Sequence, residues 1–154
     1  MQYDNSPLLL QDGTRQFTEM LQGYRTRGGL VASPELLALC GRHSVSDVAI
    51  LARWIVERSV VCFEWQSQTW FPLFQFRPPA FTPSLPLQPL LTQLARSRNA
   101  WQVAHWFIAP SRQLGGRAPL ALLDIEASAV LRAAGCNGTP ELAHPTPVRM
   151  HQSA

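Results

Sequence analysis

Apolar positions first recur at helical spacing at Phe17, Met20, Leu21 and Tyr24, which predicts a helix from Thr14, as N-cap, to about Arg25. Gly28 and Gly29 end it. A second, short helix is predicted from Ser33 as N-cap and Pro34 at the first helical position, burying Leu36, Leu37 and Cys40 and stopping at Gly41. A third opens near Ser44 or Ser46, where Ser44 and Asp47 have capping-box spacing. It runs to about Arg58 through Val48, Ile50, Leu51, Trp54, Ile55 and Val56, an apolar face wide enough to predict burial on most sides.

From Val60 to Phe76 the pattern changes to β-branched and aromatic residues, VVCFEW and TWFPLFQF, separated by Gln66, Ser67 and Gln68. This reads as a hairpin, with Trp65 and Trp70 facing each other across its turn. Pro72 lacks an N–H, so the second strand is expected to be short or at a sheet edge. Residues 77–89 contain Pro78, Pro79, Pro83, Pro86 and Pro89 and read as a linker. Beyond it, Leu90, Leu91, Leu94 and Ala95 continue a helix to about Ser97. Asn99 caps another, carrying Trp101, Ala104, His105, Phe107 and Ile108. After the loop APSRQLGGRAP, Pro119 opens a short turn, and Asp124 is placed to cap a last helix closed by Gly135 at C′.

The expected fold is therefore mainly α, with N-terminal helix-turn-helix-like helices and a β-hairpin, then a small C-terminal helical bundle. The expected division is 1–76, a linker at 77–89, a helical domain at 90–135 and a tail at 136–154. The tail contains glycine, three prolines, two histidines and little apolar content, a composition expected to stay disordered in isolation.

Composition narrows the function. With 154 residues, 46% of them hydrophobic, the chain can bury a real core. Its net charge of +3 rests on arginine alone, since all 13 Lys+Arg residues are Arg. The arginines are scattered, unlike a nucleic-acid footprint. An odd cysteine count, with Cys40 and Cys62 inside apolar runs, gives no disulfide framework. The N-terminus resembles neither a secretory nor a transit signal, and no apolar run reaches the ~18 residues needed to span a bilayer. A cytoplasmic protein without membrane contact is expected.

Chemical motifs are sparse. Cys40 and His43 have C-x-x-H spacing, with Cys136, His144 and His151 as remote partners, but the second tight pair of a zinc site is missing, so no metal is expected. There is no nucleophile elbow and no phosphate-cradling glycine loop. Asp124 and Glu126 are explained by a helix start. Neither an enzyme nor a cofactor is therefore expected. The helices around Gly41–Ser44 have a helix-turn-helix layout, which makes Arg42, Ser44 and Ser46 the candidate DNA-contacting residues. The third helix, though, displays few of the polar side chains that read bases, so DNA binding is doubtful.

The segment WFIAPSRQLGGRAPLALLDIEASAVLRAAG, residues 106–135, resembles the toxin-binding domain of the Xre/MbcA/ParS-like antitoxins. Trp106, Pro110, Leu114, Gly116, Pro119 and Leu122 fall where that family has Trp, Pro and Leu-x-Gly-x-x-Pro-x-x-Leu. Upstream, FPLFQF resembles the P-x-F-Q-F segment that often precedes the domain. The likeness covers about residues 31–135. It implies an antitoxin that binds and neutralises a RES-type toxin acting on NAD, and that commonly forms a homodimer. Transferred to this chain, it implies a partner-binding set of Trp106, Pro110, Leu114, Gly116, Arg117 and Pro119, with Arg149 in a tail that reaches the toxin. The other function class is a helix-turn-helix-type transcriptional regulator without a toxin partner.

Overall fold

A computed structural model of the chain describes residues 6–41 and 45–135, with side chains described from 13 to 41 and from 47 to 135. Helix α1 spans Ser6–Tyr24, a 3-10 turn follows at Arg25–Arg27, and strand β1 is Leu30–Ala32. Helices α2 (Ser33–Leu39) and α3 (Val45–Val56) precede strands β2 (Phe63–Trp65) and β3 (Gln68–Pro72). A two-stranded ribbon of β4 (Phe76–Arg77) and β5 (Thr82–Pro83) leads to α4 (Gln88–Ala95), α5 (Ala100–Ile108), α6 (Pro119–Leu122) and α7 (Ala127–Gly135). The protein is thus mainly helical with a small antiparallel sheet.

The sheet, in the order β1-β3-β2, lies between two apolar cores. Side chains alternate across a strand, and this sequence exploits the alternation directly. Val60, Cys62 and Phe71 face α2 and α3, in a small core with Leu36, Leu51 and Phe76. Val61, Phe63, Trp65 and Trp70 face the other way, onto α1 and α5. There a larger core gathers Met20 and Tyr24 with Leu90, Leu94, Phe107, Leu122 and Val130. It draws on both sides of the proline-rich segment, so residues 77–89 join parts that pack on each other.

Two glycines show how closely α1 fits. A Cβ on Gly23 would lie 2.6 Å from Ile108 Cγ2, and one on Gly13 would lie 2.6 Å from the Trp65 ring. A packed core leaves no such overlap. Helix α1 continues through Gly13 and starts at Ser6, with Pro7 in its first turn, instead of at Thr14.

Other expectations are corrected. Strand β3 is central, not an edge, because β1 pairs along it with Leu30 opposite Pro72. The three-residue β1 has too little pattern to be read from sequence. Pro72 is tolerated because it is the last residue of the strand. The cross-strand pair is Phe63 with Trp70, and Trp65 lies opposite Gln68. Phe17 sits between the two tryptophan rings, with centroids 5.5 Å from Trp65 and 5.1 Å from Trp70. The two-residue turn at Gln66 and Ser67, both with positive φ, sets this register. Helix α3 is not buried on most sides. Only Leu51 is fully buried among its described side chains, while Val48 is 52% and Val56 81% exposed. The last helix begins at Ala127, not at Asp124, which pairs with Arg27 at 2.7 Å, and Gly135 is its final residue.

Candidate functional site

The segment that the motifs single out, Pro110 to Pro119, is a loop closed by its own backbone. Ser111 N–H donates to Arg117 C=O at 3.0 Å, and Gly116 N–H donates back to Ser111 C=O at 2.8 Å. A 3-10 turn at Arg112–Leu114 lies between them, and Gly115 and Gly116 take φ of 67° and 80°. Glycine adopts that backbone without the penalty a Cβ imposes. Two apolar pins hold the loop down, since Leu114 and Pro119 are buried and Leu114 belongs to the large core. Pro110, Arg112, Gln113, Gly116 and Arg117 are exposed.

The exposed surface continues beyond the loop. Arg117 lies 3.7 Å from Glu126 in the joint between α6 and α7. Asp124, two residues earlier, pairs with Arg27, so the joint is tied to the loop and to the end of α1. Both pairs are solvated and contribute at most about 1 kcal/mol each. Their effect is to orient the joint. Between the two acids, Ile125 is 76% exposed.

Beside Asp124 opens a cleft of about 460 Å³, floored by Phe74, Phe76, Leu87 and Leu90 and bounded by Arg77 and the Leu131 side of α7. With Leu85 80% and Leu131 43% exposed, the loop, joint and cleft edge present separated apolar groups among arginines and acids.

Of the residues expected to bind a partner, Pro110, Leu114, Gly116, Arg117 and Pro119 are brought together in this loop. Trp106 is half-buried on α5, edge-on to Phe107 with ring centroids 5.2 Å apart, and packs against the large core. Arg149 lies outside the described residues, as do Arg42, Ser44, His43, Cys136, His144 and His151. Ser46 is in the first turn of α3, with its side chain outside the described set.

Sequence reading missed Arg27, Ile125 and the cleft. The sole signal was an isoleucine flanked by two acids, which was read as a helix start. Among the described residues no group of three or more His, Cys, Asp or Glu is placed to hold a metal, and no helix is long and apolar enough to cross a membrane. Compared with models of protein families, with curated proteins and with solved structures, the chain matches none.

Proposed function

We propose that this chain is an interaction protein of the antitoxin type, which binds a RES-type toxin acting on NAD through the Pro110–Pro119 loop and the adjoining α6–α7 joint. The carrying observation is the loop itself. It is held rigid by its own hydrogen bonds and by Leu114 and Pro119 beneath, and its arginines and glycines are turned outward. A preorganised surface loses little conformational entropy on docking, and the motif residues divide accordingly into anchors below and contact groups above. Residues 136–154, which follow α7, are the second contact in this reading, and the family's homodimer is part of it.

The test is co-expression with the RES-domain protein encoded beside it. The expected result is growth arrest by that protein alone, rescue by this chain, and a complex that co-purifies. An Arg112→Glu, Arg117→Glu double variant should fold normally, yet fail to rescue. Rescue by that variant, or no complex with the wild-type chain, refutes the reading.

A helix-turn-helix-type regulator is the second reading, supported by the consecutive short helices α2 and α3 followed by the β2–β3 ribbon. Gel-shift titration on its own promoter should then give an affinity falling steeply with salt. Among the described side chains of α3, the exposed ones are Val48, Ala49, Ala52, Arg53 and Val56, of which Arg53 alone is suited to reading bases, and that weighs against it.

A further inference from the structure

Beside Leu91 and Ala95 of α4 lies a second, smaller recess, of about 240 Å³, between the end of α3 and the start of α5. Its lining is unlike that of the docking surface. Val60, Val61, Leu91 and Val103 are buried apolar residues, and Arg58 and Arg98 also line it. Neither arginine has an ion-pair partner among the described residues. Arg58 Nη1 donates to the Ala95 carbonyl at 3.4 Å, and Arg98 Nη1 donates to Ser97 Oγ at 3.4 Å, so each guanidinium keeps N–H groups for another acceptor. Partial burial lowers the pKa of Arg98 through desolvation, which marks its charge as incompletely hydrated.

A backbone observation points to the same place. Helix α3 ends with Ser59 N–H on Trp54 C=O and Arg58 N–H on Ile55 C=O, the paired bonds of a Schellman ending. The residue at the left-handed position of that motif is usually glycine. Here it is Arg58, with φ of 53°. A long cationic side chain at a strained position beside a recess is the kind of outlier that accompanies a binding role.

We propose that this recess binds a small aliphatic carboxylate, its head group held by Arg58 and Arg98 and its chain laid on Val60, Leu91 and Val103. Arginine matches a carboxylate bidentately, and the apolar floor favours an anion with a hydrocarbon body over a bare one. The volume suits a chain of about six to eight carbons, well below the usual size of drug-like ligand pockets. Cys62 adds to the floor, because a neutral thiol behaves as a small hydrophobe.

The proposal is separate from the docking surface and is tested on the full chain by amide NMR titration with octanoate, octanol and inorganic phosphate. Octanoate should saturate at about millimolar or lower concentration, as ~10 heavy atoms sustain, shifting amides at 58–62 and 91–103. Octanol and phosphate should bind at least about tenfold more weakly, because each lacks one half of the recognition. Arg98→Gln and Arg58→Gly should each weaken octanoate by about tenfold with the spectrum otherwise native. The glycine variant suits the left-handed backbone, so it keeps the fold intact. Equal binding of octanol, saturation by phosphate at the same amides, unchanged affinity in Arg98→Gln, or no saturation by octanoate overturns the proposal.

Discussion

Gln75 shows what a single residue does in this structure. It is the one fully buried polar side chain among those described, and it acts as a strand would. Its carbonyl accepts from Val61 N–H at 2.5 Å, while its amide donates to the carbonyls of Val61 at 2.8 Å and Pro72 at 2.9 Å. The chain before β2 is thereby fixed to the end of β3. Gln75→Leu keeps the volume but orphans those groups, and should cost about 3 kcal/mol in urea denaturation, since each unpaired buried group costs about 1–3. A loss below about 1 kcal/mol would show that water replaces the amide. Cys62 offers a pH signature. Burial, with Glu64 adding repulsion, raises its thiol from 9.0 to about 11. The folded state then holds a proton that the unfolded chain releases, so this contribution is intact below pH 9 and is lost as pH rises through about 11. Tyr24, also raised by burial, acts in the same direction at higher pH. Melting temperatures should fall between pH 9 and 11 less steeply for Cys62→Ala than for the wild type, and parallel curves would rule this out.

At the scale of elements, local chemistry decides where helices begin and how the loop is held. Asn99 and Gln102 close a reciprocal capping box on α5, with Gln102 N–H donating to Asn99 Oδ1 at 2.8 Å and Asn99 N–H donating to Gln102 Oε1 at 2.9 Å. Asn99→Ala should destabilise by about 1 kcal/mol, read from the denaturation midpoint. Because α5 carries Ala104, whose carbonyl accepts from Tyr24 Oη, fraying there also loosens α1. The Pro110–Pro119 loop depends on backbone instead. No heavy atom lies within 4 Å of a Cβ built on Gly116, so Gly116→Ala should cost only the left-handed penalty of about 1 kcal/mol. Its larger effect should be on affinity for the proposed partner, measured by calorimetry, because the loop would leave its preorganised shape. An unchanged affinity would place the contact elsewhere.

For the molecule as a whole, one small sheet serves two cores, so neither side of it stands alone. Val61 and Cys62 are neighbours in sequence but belong to opposite cores, and Tyr24 of α1 stacks on Phe74 from just before the proline-rich segment at 5.8 Å. Unfolding should therefore be a single transition, with tryptophan fluorescence and far-ultraviolet circular dichroism coinciding. Two separated transitions would mean that residues 77–89 divide independent units. Much of this was written locally. The 3.6-residue periodicity of α1, the Asn99 cap of α5, the two apolar strands and the positive-φ glycines of the Pro110–Pro119 loop follow from neighbours in sequence, because a helix face, a cap and a turn are each satisfied within a few residues. The sequence alone thus determined a mainly helical chain with a β-hairpin and a loop closed by glycine turns. Only tertiary structure decided that β1 makes β3 central, that Phe17 separates Trp65 from Trp70, that Asp124 reaches Arg27 instead of capping α7, that Leu114 and Pro119 are buried, and that Arg58 and Arg98 share one recess. These contacts join residues far apart in the chain, and their energies come from burial and charge shared between elements, which no local pattern encodes.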